Sequence, residues 1–222
     1  MKHLFILLAV VFIITGCASK SSKPNYDEDS PGFLVNYDLL EPVQGPAGMD
    51  IYAYKNDEVN ADDYFAAIVE PVFIYGGTTD EDSVTQEQIE SAKQGINAGL
   101  RKAVAQHYEL TDKPDPGVFR MQVAITGADL EKEGLKPWNI IPVSAAIRLS
   151  TYATGYDNKR PVLMVEMKIT DSETDEIIKE IVTISAGDYF RDTDNTTAAF
   201  EQAADNWVEL VLEYSDIFTP EH

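Results

Sequence analysis

Three patterned segments in a fixed order constrain the fold of this chain more than any other feature. Ala67 to Tyr75 (AIVEPVFIY) is rich in β-branched and aromatic residues and stops at Gly76-Gly77, which predicts a strand followed by a breaker. Pro71 has no N–H to give to a ladder, so this strand is expected to lie at an edge or to bulge there. Thr85 and Gln88 then have the spacing of a capping box. Ile89, Ala92, Ile96, Leu100, Ala103 and Val104 follow at helical intervals, predicting a helix from about Thr85 to His107. After Pro114, Pro116 and Gly117 a strand pattern resumes over Val118 to Thr126. Strand, helix, strand implies a βαβ crossover, right-handed where its strands are parallel neighbours.

The flanking segments extend this unit. Phe33 to Leu40 is a short apolar stretch, irregular or one helical turn, that packs the start of the body onto the rest, and Met49 to Tyr54 reads as a short strand. Pro142 suits the first residue of a helix running to about Thr154. Pro161 to Thr170 and Glu176 to Ser185 read as strands of a hairpin whose tip, Asp171 to Asp175, carries turn-forming residues. Thr196 caps a last helix with an apolar stripe of Phe200, Ala203, Trp207, Leu210, Val211 and Tyr214. The expected fold is α+β: a single domain over residues 33–218 with a mixed four-to-five-stranded sheet, helices packed mainly on one face, and a tail at 219–222. With 222 residues, 44% of them hydrophobic, the chain can build one core of this size.

Ahead of the domain, Met1-Lys2-His3 is followed by 11 unbroken apolar residues, Leu4 to Ile14, and then by Thr15-Gly16-Cys17. This is the layout of an export signal. At about 1.5 Å per residue the apolar run is roughly half as long as a bilayer's hydrocarbon core, too short for a permanent span. Ile14-Thr15-Gly16-Cys17 resembles the lipobox of bacterial lipoproteins. The resemblance implies cleavage between Gly16 and Cys17, a signal peptide over residues 1–16, and acylation of Cys17. Several acyl chains on that residue would anchor the protein stably. Ala18 in place of Asp implies, by analogy with enterobacterial sorting, the periplasmic leaflet of the outer membrane. The segment Ala18 to Gly32, rich in Ser, Lys, Pro and acids, reads as a flexible tether, with a reach of about 20 Å for its length.

Charge narrows the partners. The chain has 17 basic and 38 acidic residues; removing residues 1–16 removes Lys2 alone, leaving 16 against 38, a formal charge of −22. Nucleic acid is excluded, since its affinity comes from cations neutralising phosphates. Attraction to anionic lipid is excluded as well, so the membrane is reached through the N-terminal lipid alone.

Gly32-Phe-Leu-Val-Asn-Tyr-Asp-Leu-Leu-Glu-Pro42, placed after a lipobox and a tether, resembles the opening of the bacterial lipoprotein family known as domain of unknown function 3313. Ile169-Thr-Asp-Ser-Glu-Thr-Asp-Glu176 is similar to that family's Asp-Ser-x-Thr-Gly-Glu turn, with Asp175 where Gly is usual. The family implies no catalytic residue and no cofactor.

The residues themselves supply little chemistry. Of three histidines, His3 lies in the signal, His222 is last, and His107 stands at the end of the predicted helix, where a His meets the helix macrodipole favourably. Cys17 is the only cysteine, so no Cys/His dyad and no histidine-based zinc site can be assembled within the chain. Asp80-Glu81-Asp82 and Asp188 to Asp194 lack the spacing of an EF-hand and read as solvated surface. Glu70, before Pro71 in an apolar run, either faces solvent or is buried with a raised pKa. Tyr52, Tyr54, Tyr152, Tyr156 and Trp138 are candidates for a stacking face or for core packing, and Trp138 is the candidate partner contact. The expectation is a non-enzymatic, outer-membrane-anchored interaction or envelope-maintenance module with a protein partner. The alternative is a carboxylate-based cell-wall glycan hydrolase or sugar binder.

Overall fold

The computed structural model describes residues 32–45, 49–76, 84–132, 159–188 and 196–214. The described strands are β1 (Glu41–Val43), β2 (Asp50–Lys55), β3 (Ala66–Val69), β4 (Phe73–Ile74), β5 (Glu109–Leu110), β6 (Val118–Lys132), β7 (Lys159–Asp171) and β8 (Ile177–Ala186). The described helices are α1 (Gln86–Val104) and α2 (Thr196–Tyr214), with short 3-10 turns at Tyr37–Leu39 and Ala61–Asp63. All eight strands form one mixed sheet in the order β1-β2-β8-β7-β6-β3-β5, and β4 also pairs with β6. The α+β class stands, but the sheet is larger than the four to five strands expected. The excess comes from β1, β4 and β5, which are two or three residues long, too short to show a period of two.

The βαβ unit is present: β3 and β6 are parallel neighbours, with Ala66 opposite Val118, and α1 connects them. Pro71 breaks the predicted strand. Val69 lies opposite Met121 and Phe73 opposite Ala124, so the broken strand holds one more residue than its partner across the gap. This is the expected bulge widened into an interruption, and it falls where the sheet has an edge: β5 pairs only with Ala66 and Ala67, and β4 pairs only with β6, so Pro71 meets no strand on its outer side among the described residues. α1 starts as predicted, with the Gln88 N–H donating to Thr85 Oγ1 and the Thr85 N–H to Gln88 Oε1. It ends at Val104, and His107 is exposed three residues beyond, its N–H donating to the Val104 carbonyl.

Both helices cover one face of the sheet. Phe200, Ala203, Trp207 and Val211 of α2 are buried there against Ile89, Ile96 and Leu100 of α1 and the inward residues of β6, β7 and β8. Thr196 is the first residue of α2 itself. The two helices approach closely through small residues: a Cβ at Gly99 would stand 2.8 Å from both Val208 methyls. Trp207 Nε1 donates to Thr183 Oγ1, which donates to the Val165 carbonyl at 3.1 Å, tying α2 to β8 and β7. The hairpin between β7 and β8 turns on Asp171. Its Oδ1 accepts from the N–H groups of Glu173 and Thr174 and from the Thr174 hydroxyl. Asp175 has φ +58°, the left-handed conformation that favours glycine. The predicted helix from Pro142 to Thr154, the signal, Cys17 and the tether lie outside the described residues.

Candidate functional site

The opposite face of the sheet is covered by the leading segment of the body. Phe33, Leu34 and Leu40 are buried there against Tyr52, Met164, Val182 and Ile184. This strap, residues 33–40, forms no strand on the sheet, so its N–H groups need other acceptors. They find side chains. The N–H of Val35 donates to Glu180 Oε1 at 2.7 Å and that of Asn36 to Glu180 Oε2 at 2.8 Å. The N–H groups of Phe33 and Leu34 both donate to the Tyr37 hydroxyl at 3.1 Å, and that hydroxyl donates to Glu166 Oε2 at 2.7 Å. Glu180 of β8 and Glu166 of β7 are fully buried, at 0% exposure.

Strand register explains why these two glutamates share a face. Glu166 lies opposite Ala124 and Val182, while Lys168 lies opposite Gln122 and Glu180. Residues two apart point to one side, so Met164, Glu166, Lys168 and Thr170 of β7 join Glu180, Val182 and Ile184 of β8 beneath the strap. The tether-proximal end is fixed by aromatic contacts: the Phe33 ring meets Phe73 edge-on at 5.5 Å and Tyr75 at 5.7 Å, and Lys168 Nζ stands 5.1 Å from its centre.

Burial pushes the Glu166 carboxyl up from 4.5 to about 7, and the nearby Glu180 carboxyl adds to the rise, while the Tyr37 hydroxyl and Thr126 pull it down. Burial, together with the Glu166 charge, also raises the Tyr37 hydroxyl above its ordinary value. Among the described residues, Glu166 Oε1 and Thr126 Oγ1 are buried without a hydrogen-bond partner of good geometry, although Thr126 is near enough to act on Glu166. A proton on Oε1 would turn it into a donor suited to that hydroxyl. The site thus favours a neutral Glu166 beneath a strap held by polar contacts.

The sequence-predicted residues are placed differently. Tyr52 is buried and Tyr54 half-buried under the strap, so both pack rather than offer a stacking face. Trp138, Tyr152 and Tyr156 lie outside the described residues, as do Asp80 to Asp82 and all of 189–194. Glu70 is half-buried and paired, receiving Arg120 Nη1 and Gln122 Nε2 at 2.8 Å each. The residues that sequence reasoning passed over are Glu166, Glu180 and Tyr37. The available signal was a glutamate inside an apolar run, VLMVEM around Glu166 and KEIVTIS around Glu180.

Relatives share this sequence over most of its length. The uncharacterized lipoprotein YdcL of Escherichia coli K12 is 26% identical over 196 residues, which cover 87% of this chain and 86% of that protein; its O157:H7 counterpart matches equally. Among solved structures, a DUF4136 family protein from Bacteroides thetaiotaomicron aligns at 11% identity, covering 79% of this chain and all of that one, with a TM-score of 0.41. A homologue of a neuraminyllactose-binding hemagglutinin from Helicobacter pylori aligns at 7% identity over 71% of this chain and 83% of that one, also at 0.41. Both likenesses are too loose to carry an argument. The sequence model of the family described as protein of unknown function DUF3313 matches residues 29–211, and the chain belongs to that family.

Proposed function

We propose that this protein is a lipid-anchored, non-enzymatic module of the bacterial envelope. Cys17 carries the acyl anchor, the periplasmic leaflet of the outer membrane holds it, and the domain works by binding a protein partner. The lipoprotein part is supported by the lipobox-like Ile14-Thr15-Gly16-Cys17 and by the naming of the YdcL relatives as lipoproteins. The non-enzymatic part rests on one observation. Glu166 and Glu180 are the two fully buried carboxyls among the described residues, one of them with a raised pKa, and so the first candidates for a carboxylate-based hydrolase. Yet both are fully buried, and both Glu180 oxygens and Glu166 Oε2 are taken by hydrogen bonds from the strap. A substrate could reach them only by displacing the strap.

Two measurements test this. Mass spectrometry of the native protein should find an acylated N-terminal Cys17, and Cys17→Ala should move the protein from the membrane to the soluble fraction. Purified mature domain should release no soluble fragments from peptidoglycan; release abolished by Glu166→Gln or Glu180→Gln would replace this reading with the hydrolase. Crosslinking in cells should capture one defined protein with both the anchored and the Cys17→Ala forms, which assigns recognition to the domain.

A further inference from the structure

The strap is the outer layer of its face: Val35 and Leu39 are 67% and 51% exposed. Its hold is also separable from the rest of the fold. Phe33, Leu34 and Leu40 belong to the smaller apolar cluster on this face, whereas both helices and the inward residues of β6, β7 and β8 share another. The strap's described backbone donors stay off the strand ladders. Those of Phe33, Leu34, Val35 and Asn36 go to side-chain oxygens, and those of Leu39 and Leu40 return to Asn36 and Tyr37 within the strap. A segment attached in this way opens at lower free energy than a laddered strand. In the chain it stands between the tether, residues 18–32, and β1. Release of residues 33–40 would therefore lengthen the tether by about 28 Å of contour, at roughly 3.5 Å per residue.

The group placed to work such a release is Glu166. From the strap it meets the Tyr37 hydroxyl at 2.7 Å, from β6 Thr126, and from β8 the charge of Glu180. Lys168, two residues along β7, turns its ammonium over the Phe33 ring. Tyr52 and Tyr54 of β2 pack in the same cluster. Further along β6 stand Asp129, opposite Val162, and Arg120, which is paired with Glu70. With the strap in place, burial and the Glu180 charge favour a protonated Glu166, outweighing the Tyr37 and Thr126 hydroxyls. With the strap lifted, water reaches the carboxyl and its ordinary acidity returns. Loss of the proton therefore favours the lifted state.

We propose that the strap is a proton-controlled clasp, which holds residues 33–40 on the sheet while Glu166 is protonated and releases them into the tether when that proton leaves, with the sheet and both helices still folded. The longer tether rests on the anchored reading, but the release is tested without the anchor.

The protein for the test is the mature chain with Cys17→Ser, followed by amide hydrogen exchange at pH 5 and pH 8 and corrected for the intrinsic base-catalysed rate. The opening constant of the Val35 and Asn36 amides should exceed that of the Val165 and Val182 amides at both pH values and depend only weakly on denaturant. It should rise by about 50- to 100-fold from pH 5 to pH 8, the change expected for a carboxyl at about 7 when covered and 4.5 when open. Glu166→Gln should remove the rise, and Asp129→Asn should keep it. The proposal is overturned if Val35 and Asn36 open only together with the core amides and with the same denaturant dependence, if their opening does not change with pH, or if the rise survives Glu166→Gln or disappears in Asp129→Asn. Should Glu166→Gln not fold, the first two results, read on the parent chain, still decide. An unacylated native N-terminus would remove the tether's anchor and leave the exchange result standing.

Discussion

The two faces of the sheet solve the same problem with different chemistry. Under the helices, the inward residues of β6, β7 and β8 meet Phe200, Trp207 and the apolar stripe of α1 in a cluster that is almost wholly hydrocarbon. Under the strap, β7 and β8 present Glu166, Lys168 and Glu180 among Met164, Val182 and Tyr52 of β2. A helix satisfies its own backbone, so its cover can be apolar. An irregular strap cannot, so the sheet beneath it must supply acceptors. The helical face therefore holds the fold together, and the strap face fixes where one particular segment lies.

That contrast is broken most severely at Trp207. Its side chain is among the largest fully buried ones, and its Nε1 is tied to Thr183. Trp207→Ala is expected to cost about 3–5 kcal/mol of unfolding free energy, read from denaturant titration. The loss should be global, lowering protection of strap and strand amides together.

The strap face should instead respond to pH. The Glu166 pKa is raised to about 7 from an ordinary 4.5, so the native state holds this proton more tightly than the unfolded chain does. The contribution of this group is fully present below about pH 4.5, falls as pH rises to about 7, and levels off above, by an amount of the order of 3 kcal/mol. Asp171 works in the opposite sense and in another window. Burial raises its carboxyl, but the N–H groups of Thr174 and Glu173 outweigh that and hold it below 3.8, so its contribution is lost only at lower pH. Unfolding measured between pH 5 and 8 should show the Glu166 slope, and Glu166→Gln should flatten it. A slope that persists in Glu166→Gln would place the titrating group elsewhere.

Glu180→Gln sharpens the contrast at smaller cost. Its amide would turn a donor toward one of two donors, the N–H groups of Val35 and Asn36. An expected loss of about 2 kcal/mol follows from one missing charge-assisted hydrogen bond and one N–H left without an acceptor. Hydrogen exchange should accelerate first at Val35 and Asn36, ahead of the amides of β7 and β8. Equal acceleration on both faces would show that the strap and the helical core unfold as one unit.

How much of this was legible in sequence follows the same division. α1, the βαβ crossover and the hairpin were readable because a capping box, a helical period and turn residues lie within a few positions of one another. β1, β4 and β5 were not, because two or three residues carry no period. The glutamates escaped for a different reason. β7 and β8 are buried on both faces, so their sequences read as apolar runs in which an acid looks like the solvent side of an alternation. What marks Glu180 as structural is a pair of backbone N–H groups about 145 residues earlier in the chain, and main-chain donors leave no trace in side-chain pattern. Tyr37 was visible only within the family-like GFLVNYDLL stretch, with no indication that its hydroxyl would join the strap's own backbone to Glu166.

The smallest expected effect lies at the hairpin tip, which belongs to neither face. Asp175 sits at φ +58°, where an L side chain is strained and glycine is not, and its N–H closes the turn on the Asp171 carbonyl. Asp175→Gly removes that strain but frees the unfolded chain, so the two terms partly cancel and a gain of about 0.5 kcal/mol remains. The gain should appear as a small rise in the denaturant midpoint with an unchanged slope. Exchange at Val35 and Asn36 should keep its rate if those amides open locally, with the rest of the sheet intact, and should slow by the full gain if the strap opens only when the whole domain unfolds. The same substitution thus reports on whether the strap is a separable unit, without disturbing a single contact in it.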